Sequence, residues 1–124
     1  MGRVQIAKRV HEEFRSKEGR QHPRVFLNLP IEYSVNNPVP RPGHTFNLSP
    51  GGVMLNIPER LNTGQTISLA IFFSLGNHVD KIKVHSKVVW VENSQNDGSY
   101  RSGVKFIDLS PGDKNKLQGF FKKF

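Results

Sequence analysis

Two arginines and a glycine-rich turn are the residues of this chain best suited to chemistry. Arg20-Gln21-His22-Pro23-Arg24 sets two guanidinium groups four positions apart. Pro23 disfavours a helical His22 and ends any helix arriving from upstream. Both arginines therefore belong to an extended or turning segment and can reach around a ligand from two directions. A guanidinium is planar and permanently charged; it grips phosphate oxygens, or O6 and N7 of guanine, through two parallel N–H donors. Asn47-Leu48-Ser49-Pro50-Gly51-Gly52 offers complementary chemistry. Its amide and hydroxyl can order a Pro-Gly-Gly turn by local hydrogen bonds, or can face the edge of a base. Gly52 leaves room for backbone or ligand to approach. Taken singly, each pattern is also what solvated arginines or an ordinary β-turn would look like.

Other chemistries find less support. The five histidines (His11, His22, His44, His78, His85) have no metal-ligand spacing, and without cysteine the common zinc patterns and disulfides are excluded. Ser49 is not in a nucleophile elbow, and no informative pair of carboxylates accompanies it. The chain is expected not to be an enzyme and to hold no resident cofactor. Eighteen Lys and Arg against ten Asp and Glu give a net charge of +8, which favours phosphates, nucleic acid or anionic lipid without choosing among them.

The elements that must position these residues are mostly strands. Residues 1–19 are highly charged, with Val4, Ala7, Val10 and Phe14 at roughly helical spacing, and are expected to form a flexible or partly helical arm. From Arg24 the period becomes two: Val25, Leu27, Leu29, Ile31, Tyr33 and Val35 alternate with polar neighbours, as in a half-buried strand. Asn36 to Gly43, with three prolines, is expected to be an unpaired loop. Further strands are expected over 44–47, 53–57, 67–75, 82–91 and 100–106, with turns at Ser49-Pro50-Gly51-Gly52 and Asn96-Asp97-Gly98. Six short strands with such turns imply an all-β barrel or sandwich. A C-terminal helix follows, with Ser110 as cap, Pro111 in its first turn, and Leu117, Phe120, Phe121 and Phe124 on one stripe that should pack on the barrel and close an open end. At 124 residues, 20–124 reads as one domain preceded by the 1–19 arm.

Together, R-x-x-x-R before the first strand and N-x-S-x-x-G one hairpin later resemble the PilZ domain family. Pro23-Arg24-Val25, Val88-Val89-Trp90 and Ser102-Gly103-Val104-Lys105-Phe106-Ile107 resemble further segments of that family, and the likeness spans roughly residues 18 to 120. It implies a six-stranded antiparallel β-barrel capped by a helix, acting as a receptor for cyclic diguanylate. In that family the arginine pair, here Arg20 and Arg24, holds phosphates and guanine edges. The turn that surrounds a guanine corresponds to Asn47, Ser49 and Gly52. Asn47 stands where Asp is commoner, keeping an acceptor for guanine N1 and N2 while losing the charge. Members that bind a stacked ligand dimer often have a further arginine where this chain has Gly19; Arg15 or Arg9 could compensate, so the resemblance leaves one or two ligands open. Trp90 matches an aromatic position near the pocket of some relatives, although a Trp filling the barrel is an equal reading. With Arg15 and Gly103 it completes the candidate set.

No apolar run is long enough to cross a bilayer and the N-terminus lacks the apolar core of a secretory signal, so a soluble cytoplasmic protein is expected. The resemblance implies cyclic diguanylate as a partner, with an effector protein the sequence does not identify. Ordering of the N-terminal arm would relay the signal. The competing readings are a basic small barrel that binds single-stranded nucleic acid, which the compact motif disfavours, and a PilZ scaffold working through protein contacts alone.

Overall fold

The computed structural model describes residues 24–36, 38–92 and 98–123. Among them, six antiparallel strands close a barrel: β1 (Pro30–Ser34), β2 (Arg41–Ser49), β3 (Gly52–Ile57), β4 (Thr66–Leu75), β5 (His78–Val91) and β6 (Tyr100–Asp108), in the order β1-β2-β3-β6-β5-β4. A helix, α1 (Pro111–Phe121), follows. The period-two residues are the core: Ile31 and Tyr33, Val53, Leu55 and Ile57, Ile67 to Phe73 at every second place, and Ile82, Val84 and Val88 are all buried. Closing the sheet leaves no unpaired edge where neighbouring strands overlap, so one inward face suffices for a core. The expected arm, Arg20, Asn96, Asp97 and Phe124 lie outside the described residues.

The first alternating run is not one strand. Val25 pairs with Leu48 through N–H···O bonds of 2.8 and 2.9 Å, but β1 starts only at Pro30. Between them the Thr45 hydroxyl replaces a ladder rung: Leu29 N–H donates to it at 2.9 Å, and it donates to the Leu27 carbonyl. A side chain that satisfies backbone groups in this way lets the chain run beside β2 without regular pairing. Immediately after it, Phe46 is the extra residue of a bulge, since β3 pairs Leu55 with Thr45 and Met54 with Asn47.

The expected loop over Asn36 to Gly43 is also shorter than its prolines imply. Arg41, Pro42 and Gly43 belong to β2 and pair with Tyr33, Glu32 and Ile31. The strand on their other flank, β3, ends at Ile57, so the N–H that Pro42 lacks has no rung to feed there. Gly43 is buried where β1 and β3 converge, and a Cβ on it would come within 2.6 Å of Ile57 Cγ2. Nearby, Glu59 Oε1 accepts from the Tyr33 hydroxyl at 2.7 Å and from Arg41 Nη1 at 2.6 Å. Burial first, and then the bond to Glu59, pushes the Tyr33 phenol far above its ordinary range.

The long strand β5 bends through register shifts at His85/Ser86 and Val88/Trp90, and its first half extends beyond the end of β6. There α1 takes over the open flank. Asp113 Oδ2 accepts from Lys83 N–H at 3.0 Å, and Lys116 Nζ donates to the Lys81 carbonyl at 3.4 Å. The Ser110 cap accepts from Asp113 N–H at 3.1 Å with Pro111 in the first turn, as the sequence implies. Leu117 and Phe120 enter the core, Phe120 with its ring centre 5.0 Å from that of Phe73. No described helix is long and apolar enough to cross a membrane.

Candidate functional site

Register across four strands assembles the site. Asn47 pairs with Met54, Met54 with Gly103, and Gly103 with Trp90, a straight row from β2 through β3 and β6 to β5. One rung along, Ser49 pairs with Gly52, Gly52 with Lys105, and Lys105 with Lys87. Residues between these rows, Val53, Val104 and Val88, are buried, so both rows face outward. Arg24 joins them from the first segment, where the Val25–Leu48 bridge sets it beside the Ser49 end. These side chains surround a pocket of about 260 Å³ lined by Arg24, Asn47, Ser49, Gly52, Met54, Trp90, Gly103 and Lys105, among others.

Two glycines permit the close packing that shapes the pocket wall. A Cβ on Gly52 would overlap the Val104 carbonyl oxygen, and one on Gly103 would overlap the Trp90 indole. Glycine at 52 thus serves the approach of β3 to β6, and glycine at 103 lets Trp90 lie against the sheet. Trp90 is on the outer face, half-buried and apart from the core, so it does not fill the barrel.

Ser49 and Gly52 pair to close a two-residue hairpin over Pro50 and Gly51, and Ser49 Oγ donates to the Gly52 carbonyl at 3.2 Å. The turn-ordering bond that the sequence allows this hydroxyl is therefore present. Asn47, only 2% exposed, lies at the bottom with Nδ2 3.8 Å from Met54 Sδ.

The electrostatics are one-sided. Arg24 and Lys105 are the charged groups of the lining, and no carboxylate accompanies them. A larger basin of about 460 Å³ lies on the outside of β1, β4 and β5, but there Glu32 and Asp108 face Lys83 and His85. Mixed signs make it a poor anion site, and none of the sequence-derived candidates reaches it. Among the described residues no group of three or more His, Asp or Glu gathers as metal ligands would.

Of the sequence-derived candidates, Arg24, Asn47, Ser49, Gly52, Trp90 and Gly103 come together; Arg20 and Arg15 lie outside the described residues. Lys105 and Met54 were missed. Lys105 follows Gly103 by two positions in an alternating strand, a spacing that already placed it on the same face.

A small closed barrel with a basic pocket on its outer wall, beside a Ser-Pro-Gly-Gly hairpin, is the class of molecule these observations define. The chain belongs to the PilZ domain family, whose model matches residues 18–123. Solved structures share the fold. The inhibitor of motility MotI/DgrA of Bacillus subtilis superposes with a TM-score of 0.71 at 17% identity, covering 82% of this chain and 48% of that one. YcgR of Escherichia coli in complex with c-di-GMP gives 0.62 at 16% identity, covering 84% and 45%. The PilZ domain of YcgR with c-di-GMP gives 0.57 at 15%, covering 80% and 86%. The chain thus spans about half the length of the first two proteins. No curated protein matches by sequence.

Proposed function

We propose that this domain is a non-catalytic receptor for cyclic diguanylate, bound in the outer pocket of β2, β3, β5 and β6. The observation that carries the reading is convergence: Arg24, Asn47, Ser49, Gly52, Trp90 and Gly103, drawn from four separate stretches of chain, line one basic hollow. The family and the presence of c-di-GMP in two structures of similar fold support it.

In this reading Arg24, with Arg20 upstream, holds a phosphate and a guanine edge by charge-assisted bonds. Asn47 and Ser49 meet the guanine edge, Ser49 turning its hydroxyl from the Gly52 carbonyl. Trp90 offers a stacking face. Binding fixes the path of the chain before Arg24, and that segment carries the signal to an effector protein.

Calorimetric titration with cyclic diguanylate, cyclic diadenylate and a short single-stranded oligonucleotide tests this. Saturable one-pocket binding of the first is expected, weakened tenfold or more by Arg24→Ala through loss of about 1.5–3 kcal/mol. Tighter binding of the oligonucleotide would favour a nucleic-acid barrel. No binding of any would leave a protein-contact module.

A further inference from the structure

Lys87 and Lys105 stand directly opposite each other across β5 and β6, both exposed on the outer face. Like charges so placed repel and weaken the strand pair. Among the described residues nothing relieves them: neither lysine has an ion pair, and the outer-face carboxylate of β6, Asp108, lies 3.7 Å from His85 instead. Their row continues into the pocket through Gly52 to Ser49, and Lys105 is part of the lining.

We propose that Lys105 and Lys87 form a second phosphate subsite, facing Arg24 across the glycine floor. The proposal rests on the reading of the pocket as a cyclic-dinucleotide site and deepens it. A cyclic dinucleotide carries two phosphodiester groups on opposite edges of its ring, each with one negative charge. Arg24 approaches from beyond β2, whereas the lysines stand on β6 and β5. Three interstrand steps of about 4.8 Å, or about 14 Å, separate the Arg24 segment from β6. Arg24 and Lys105 both line the pocket, with Lys87 next to Lys105 in register, and long basic side chains at both ends suit a ligand charged at two ends. A lone phosphate would satisfy only one of them. The second phosphate would also relieve the repulsion between the two lysines, so ligand should stabilise the β5–β6 pair.

The test uses Lys87→Gln, Lys105→Gln and the double variant in the full chain, titrated with cyclic diguanylate at several salt concentrations. The expected result for the double variant is affinity about tenfold lower and a shallower fall of log K with rising salt, since fewer charge pairs are left for salt to screen. Lys105→Arg should keep most of the affinity. Thermal melting of the free double variant should occur no lower than in the parent, because a repulsive pair has been removed. Unchanged affinity and slope, with the parent binding normally, would overturn the subsite while leaving the receptor reading intact. A parent chain that binds no cyclic diguanylate would instead overturn the receptor reading, and the subsite with it.

Discussion

Trp90 rests on Gly103 so closely that a single methyl group added to the glycine would overlap the indole Nε1. The contact joins a residue after the β5 bulge to the middle of β6, and it sets the angle at which the ring borders the pocket. Gly103→Ala should therefore swing the indole away while the barrel stays folded. Trp90 is the only tryptophan of the chain, so its fluorescence reads the change directly. A shifted emission maximum is expected in the free variant, with weaker quenching by cyclic diguanylate. Loss of a base–indole stack is worth about 1–3 kcal/mol. Emission and affinity identical to the parent would show that Trp90 does not border the ligand.

The barrel was legible because only one face of each strand is buried, so a period of two survives in Ile67, Leu69, Ile71 and Phe73. Pairing of Arg41 to Gly43 was hidden, since whether a proline can join a ladder depends on which flank has a neighbour, and that is tertiary information. The break before Pro30 was equally hidden, because a Thr45 hydroxyl sixteen residues from Leu29 replaces the rung. At the site, the local motif Asn47 to Gly52 could be read directly. The spacing from Gly103 puts Lys105 on the same face, but its place beside Gly52 comes from the β3–β6 register, which links positions about fifty residues apart.

Asn47 offers a test of base recognition. A neutral amide oxygen there accepts from guanine N1 or N2, and a carboxylate would do so more strongly. Asn47→Asp should tighten cyclic diguanylate binding by several-fold and widen its preference over cyclic diadenylate, whose adenine has neither the N1–H nor the N2 amino donor that guanine offers to an acceptor at this position. The same change places a charge where the side chain is 2% exposed, so the free protein should melt at a lower temperature. Tighter binding of both nucleotides by the same factor would mean that position 47 does not read the base.

Tyr33 sets the behaviour of the fold at high pH. Its phenol ionises near 10.0 in an unfolded chain and well above that in the barrel, because of burial first and the Glu59 bond second. The native state thus holds this proton more tightly. Its contribution to stability is fully present below pH 10 and is lost as pH rises from there towards the folded pKa. Urea midpoints measured from pH 8 to 11 should fall with a component absent from Tyr33→Phe. Parallel curves for the two proteins would refute it.

The last expectation concerns the segment through which the signal would leave. Val25 is pinned to Leu48 by two backbone bonds, and Arg24 beside it borders the pocket. Four residues upstream stands Arg20, the other half of the arginine pair. If both guanidinium groups grip one ligand, residues 20–24 must follow a single path, and the charged stretch before them is drawn towards the remaining phosphate charge through Arg9 and Arg15. Ligand should therefore slow amide exchange between about residues 8 and 24 much more than within β4, whose protection the barrel already supplies. Removal of residues 1–16 should weaken binding modestly, and less than Arg24→Ala does. The control is the free protein. If residues 8–24 exchange equally slowly with and without cyclic diguanylate, the arm is a permanent part of the fold. An effector would then have to read the pocket rim itself, where Val89 remains 46% exposed.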